Sequence, residues 1–127
     1  LTPLTQIPGP LVIDLGGLER INSLGVRDWM HFVRTCEAAG TALTFERCSP
    51  TIVGQMSMIT GFMGASHISS IEVPYVCTSC NHEQLQLLDL DAGGELQLAI
   101  ECPKCRAPTQ LDDFAEIYSE VVRLARR

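Results

Sequence analysis

Two pairs of cysteines carry the most specific chemistry in this chain: Cys77-Thr78-Ser79-Cys80 and Cys102-Pro103-Lys104-Cys105. Each is a Cys-x-x-Cys, and 21 residues separate Cys80 from Cys102. A thiolate is a soft ligand, and two such hooks on one short chain can close a tetrahedral shell of four sulfurs around one ion. Zinc is the expected occupant, one per chain, although iron fills the same shell in rubredoxin-type sites. With four protein ligands there is no open position for water or substrate, so the expected role is structural. His82 lies two residues beyond Cys80, but the shell is already full without it.

The residues between the hooks suggest how they are presented. Glu83–Leu90 and Glu95–Glu101 both alternate roughly apolar and polar, and Asp91-Ala92-Gly93-Gly94 supplies a turn. A hairpin flanked by one cysteine pair on each side is the layout of a zinc ribbon, expected over residues 77–105. Competing uses of the cysteines fit less well. Six cysteines in 127 residues fall far short of a disulfide scaffold. A redox Cys-x-x-Cys needs one pair at a helix start and leaves the second unexplained. Cys36 and Cys48 lie outside the ribbon and read as small buried hydrophobes in a reducing compartment.

Composition narrows the partners. The net charge is −6, and adding four thiolates and one divalent cation takes it to about −8. Between Tyr75 and Leu111 there are two basic residues against five acidic ones, with Tyr75 the lone aromatic. Nucleic-acid binding relies on Lys and Arg neutralising phosphates, so direct contact with DNA or RNA is not expected. No apolar run reaches the ~20 residues that span a bilayer, and nothing marks the chain for secretion, so a cytoplasmic location is expected. The chain starts at Leu1 without an initiator Met and is expected to be a piece of something longer.

Taken in order, residues 1–10 carry Pro3, Pro8, Gly9 and Pro10 and read as an extended entry segment. Leu11-Val12-Ile13-Asp14-Leu15 reads as a buried parallel strand. Asn22 and Ser23 are capping residues for a helix from Leu24 to Ala39, with Val26, Trp29, Met30, Val33 and Cys36 on its apolar face and Gly40 as its stop. Ala42–Cys48 is a second strand. Ser49-Pro50 opens a second helix, with Ile52, Val53, Met56, Ile59 and Met63 inward. Ser70–Val76 is expected as the third parallel strand, running into Cys77. After the ribbon comes a linker and a last helix over 106–127, capped by Asp112-Asp113 and buried through Phe114, Ile117, Val121 and Leu124. The expected fold is therefore α/β: a small sheet with packed helices over 11–76, a zinc-ribbon hairpin and a C-terminal helix.

The first part also resembles a known family. Leu11-Val12-Ile13-Asp14-Leu15, followed by Ile21-Asn22-Ser23-Leu24-Gly25-Val26, resembles the strand and helix-opening turn of STAS domains of anti-sigma factor antagonists. Met58-Ile59-Thr60-Gly61-Phe62-Met63-Gly64 is similar to the Leu-x-x-x-Gly-Leu stretch before that family's last strand. The likeness covers roughly residues 11–76 and leaves the ribbon outside. It implies a domain lacking its first strands here, which docks a protein partner and is switched by phosphorylation of the serine at the helix start, Ser23. Asn22 stands where the family has Asp, and Leu24 where it has a small residue.

Three functions follow from these residues. The first is a non-catalytic protein-interaction module with a structural zinc, its sheet edges completed by self-association or by upstream residues. The second is a zinc-ribbon component of a transcription or other nucleic-acid-associated complex. The third, an enzyme, has little behind it: His31, His67 and His82 are scattered, Asp14 and Glu19 are merely near in sequence, and Gly16-Gly17 lacks the rest of a phosphate loop.

Overall fold

The side-chain oxygen of Asn22 accepts a 2.8 Å hydrogen bond from the backbone N–H of Gly25, and this cap starts the first helix. The structure is a computed structural model and describes residues 10–59, 61–64 and 66–126, with the backbone but not the side chain of Ser23. Nearly all of the expected entry segment, residues 1–9, lies outside the described residues. The elements run β1 (Leu11–Asp14), α1 (Ser23–Ala38), β2 (Leu43–Glu46), α2 (Pro50–Met58), β3 (His67–Ile68), β4 (Ser70–Val76), β5 (Glu83–Asp89), β6 (Gln110–Leu111) and α3 (Ala115–Ala125). This is a small α/β fold, as expected, with two three-stranded sheets among the described residues.

The first sheet is parallel, in the order β1-β2-β3, with Leu11 beside Leu43, Ile13 beside Phe45, and Phe45 beside Ile68. Its strands alternate: Leu43 and Phe45 are buried while Thr44 and Glu46 are only half-buried, and Val12 and Asp14 of β1 are exposed. The buried strand expected over 11–15 is therefore covered on one side only in β1. Gly40, at φ 74°, lets the chain leave α1, with Thr41 N–H donating to the Cys36 carbonyl.

The third parallel strand differs from the expectation. It is the two-residue β3, whereas Ser70–Val76 is the centre of a second, antiparallel sheet ordered β5-β4-β6. The reason lies at the end of β2. Arg47 turns left-handed at φ 51°, and Pro50 enters α2 without an N–H to offer. Only one bridge, Cys48 to Ile71, continues the parallel pairing. Residues 72–76 must find other partners, and they pair with 83–87 and 110–111 instead.

Both sheets share one core. Phe45, Ile52, Val53, Ile68, Ile71, Val73, Tyr118 and Val121 are buried together. Trp29 of α1 packs against this core, its ring centroid 5.1 Å from Phe45 and 5.4 Å from Phe62, and its indole N–H donates to the Phe62 carbonyl at 2.8 Å. α2 stops at Met58, because Ile59 is already extended, so Ile59 and Met63 pack from beyond the helix rather than on it. α3 is rotated from its expected stripe. Phe114 precedes the helix and is 70% exposed, while Tyr118, Val121 and Val122 face inward. Asp113 explains this, since its carboxylate accepts from both Phe114 N–H and Tyr118 O–H and so fixes which face turns in. No helix among the described residues is long and apolar enough to cross a membrane.

At the carboxyl end of β1, Asp14 accepts from Arg47 Nε at 3.0 Å and from Gly16 N–H at 2.8 Å. The Arg47 hydrogen bonds, then the Gly16 N–H, hold the Asp14 carboxyl below its ordinary value. A carboxyl depressed by folding adds stability above its unfolded value of about 3.9 and loses it as the pH falls through the folded value. Asp14→Asn should therefore flatten the acid side of the melting curve below about pH 4. Thermal melts of both proteins at pH 5 and pH 3 check this, and an unchanged acid dependence would rule the pair out as its source.

Candidate metal centre

The turn that follows β4 runs from Cys77 to His82. Cys77 N–H donates to the His82 carbonyl at 2.9 Å, Asn81 N–H donates back to the Cys77 carbonyl at 2.7 Å, and Asn81 sits at φ 62°. The second hook repeats this frame. Cys102 N–H donates to the Ala107 carbonyl at 2.9 Å, Arg106 N–H donates to the Cys102 carbonyl at 2.9 Å, and Arg106 sits at φ 64°. Two six-residue knuckles of one geometry thus present two sulfurs each.

The scaffold beneath them is not the single hairpin expected between the hooks. β5 pairs with β4, not with 95–101, so the first knuckle is the tip of a β4–β5 hairpin. Residues 98–102 return against 107–111 through Thr109 N–H to Ile100 O, Leu111 N–H to Leu98 O, and the Glu101–Pro108 bridge. The second knuckle is therefore the tip of a second hairpin. Pairing of Tyr75 with Leu111 and of Val76 with Gln110 lays the two tips side by side. Buried Thr109 locks the second hairpin by bonding both the N–H and the carbonyl of Ile100. Tyr75 O–H donates to the Gln97 carbonyl at 2.6 Å and ties residues 95–101 over the sheet.

All four sulfurs lie within 4.8 Å of one another. Across the knuckles, Cys77 Sγ is 3.4 Å from Cys105 Sγ and Cys80 Sγ is 3.7 Å from Cys102 Sγ. A tetrahedron with Zn–S bonds of about 2.3 Å has edges of about 3.8 Å, so the donor set fits one such ion. All six cysteines are free thiols. The backbone is aimed as well. N–H groups of Cys80 and Ser79 face the Cys77 sulfur, and those of Cys105 and Lys104 face Cys102. The Cys80 N–H is the largest influence lowering Cys77, to about 6, and the Cys105 N–H the largest lowering Cys102. Cys80 and Cys105 receive one N–H each, from His82 and Ala107, yet desolvation and the neighbouring sulfurs leave both raised, Cys105 to about 12. Four sulfurs this close cannot all ionise without a cation among them. A divalent ion held by all four would supply that positive charge.

The structure thus brings together all four cysteines that the spacing singled out, and among the described residues no other cluster of this kind forms. His82 contributes its backbone, with its carbonyl bonding Cys77 N–H and its N–H facing Cys80. His67 lies apart, with Nε2 2.6 Å from Asp91 Oδ1. Asp14 pairs with Arg47 rather than Glu19. Cys36 and Cys48 are fully buried in the core, and burial pushes both thiols up, Cys48 to about 12. Ser23 is the first residue of α1, and its side chain lies outside the described residues. The sequence reading missed the N–H groups aimed at sulfur. Asn81 hinted at them, being a residue that tolerates a left-handed turn, whereas Arg106 gives no such signal.

Comparison of the chain with family models, with curated proteins and with solved structures finds no match.

Proposed function

We propose that this chain is a non-catalytic protein-interaction module of a reducing, cytoplasmic compartment, stapled by one structural zinc on Cys77, Cys80, Cys102 and Cys105. The observation that carries this reading is the pair of matched knuckles with all four sulfurs within 4.8 Å. Four protein ligands complete the preferred coordination of zinc, which supports a structural rather than a catalytic ion. The ion would supply cross-linking and charge compensation. The knuckle N–H groups orient the sulfurs, and Tyr75, Thr109 and the β4–β6 pairing hold the tips together. The acidic balance supports a protein partner over direct nucleic-acid contact.

The STAS resemblance adds a switch at Ser23. A helix N-terminus favours phosphate through its free N–H groups and dipole. Ser23→Glu is then expected to change partner recovery several-fold relative to Ser23→Ala, with neither variant losing its helical signal. Equal recovery by both variants would remove the switch and leave the module.

The test of the module itself is affinity capture of the protein from its own cells, with metal analysis on the same sample. A specific protein partner with one zinc per chain is the expected result. Co-purification of RNA or a polymerase would move the working end to the ribbon, and turnover of a simple substrate would make the chain an enzyme.

A further inference from the structure

β5 has one covered edge, paired with β4, and no strand on the other among the described residues. In an antiparallel pair every second residue turns its N–H and C=O away from its neighbour, so a seven-residue edge strand is a template for another strand. Its outward face is unusual. Leu85 and Leu87 are 53% and 49% exposed, two residues apart on one side. Glu83 and Asp89 extend the same row at either end, both exposed, and neither is in an ion pair among the described residues. The row reads acid, leucine, leucine, acid.

That charge pattern selects the occupant. Two copies of β5 paired antiparallel about Gln86 would set Leu85 against Leu87 and, at both ends, Glu83 against Asp89. Like charges directly opposite are destabilising, so the pattern works against a second copy. An extended segment with two apolar residues in the middle and Lys or Arg two positions beyond each would meet leucines with apolar side chains and acids with cations. The chain's net charge of −6 would also draw in a basic segment. β1 is the weaker edge, being four residues long with one exposed apolar side chain, Val12.

We propose that the free edge of β5 docks an extended basic–apolar segment of a partner protein, which adds to the second sheet as an antiparallel strand. This rests on the interaction-module reading and names its surface and the chemistry of its partner.

The probe is the peptide Lys-Thr-Val-Thr-Val-Thr-Lys with blocked ends, titrated into the full zinc-loaded chain and followed by amide chemical shifts. Saturable shifts centred on 83–89, weakened by salt, are expected. The peptide with Glu at both ends should bind about tenfold more weakly, since two cross-strand pairs change from attractive to repulsive. In Glu83→Lys the preference at that end should reverse, so that a peptide with Glu opposite residue 83 regains the affinity. Leu87→Lys should abolish binding while leaving the metal content unchanged. Equal binding of the Lys- and Glu-ended peptides, shifts mapped elsewhere, or no saturable binding of the Lys-ended peptide would each overturn the proposal. So would a concentration-dependent dimer protected at β5, which would give the edge to a second copy. A captured partner that leaves the β5 amides unshifted refutes strand addition but keeps the module, whereas failure to capture any protein refutes the module itself.

Discussion

Cys77→Ser or Cys102→Ser should release the metal and open both knuckles, while the helices stay folded. The energetic reason is scale. Apparent zinc affinities in small tetrahedral sites are about 10–16 kcal/mol, whereas a two-stranded hairpin is marginal by itself. β6 is two residues long and the second hairpin has little ladder beyond Thr109 and Leu111, so its tip is expected to need the ion. Either substitution should also remove the visible bands of a cobalt-substituted tetrathiolate. Amide protection should fall at 77–82 and 101–110, with helical dichroism and Trp29 emission retained. A Cys102→Ser protein that still holds one ion per chain, with both tips protected, would refute the four-cysteine assignment.

Phe45→Ala should act on the core instead. Phe45 is fully buried in the middle strand of the parallel sheet and lies 5.1 Å from the Trp29 ring. Truncating such a residue removes its transfer energy and leaves a cavity, at a cost of about 3–5 kcal/mol. Domain stabilities of about 5–15 kcal/mol make that a large fraction of the total. Urea titration followed by Trp29 emission should show the midpoint falling with little change in slope. A loss under about 1 kcal/mol would mean that the surrounding side chains collapse into the space. The two experiments separate the staple from the core, because one should leave Trp29 unmoved and the other should leave the metal in place.

What the sequence disclosed, and what it concealed, can be traced to particular residues. The four-cysteine cluster was legible because two Cys-x-x-Cys hooks at that spacing can bring their sulfurs to one point. α1 was legible from its apolar recurrence and from Asn22, which caps as its type suggests. Strand partnership was not. Glu83–Asp89 alternates, and so does Glu95–Glu101, so nothing in their composition says that the first pairs with β4 while the second turns back on 107–111. Register there is set by the 77–82 turn, whose left-handed Asn81 closes β4 onto β5. The face of α3 was misjudged for a local reason. Phe114 looked like the first buried residue of a stripe, but the two hydrogen bonds accepted by Asp113 turn it outward.

The double membership of β4 has a consequence for anyone trimming this chain. Ile71, Val73 and Tyr75 are buried in the common core, while Pro74 and Val76 stand opposite Leu85 and Glu83. A fragment ending at Val76 would keep the parallel sheet yet strip both flanks from Ser-Ile-Glu-Val-Pro-Tyr-Val, a β-rich segment with one Glu and one Pro to discourage stacking. It would also lose α3, whose Tyr118 and Val121 close over the core. Such a fragment is expected to aggregate more readily than the full chain, because β4 needs both flanks and α3 to be covered.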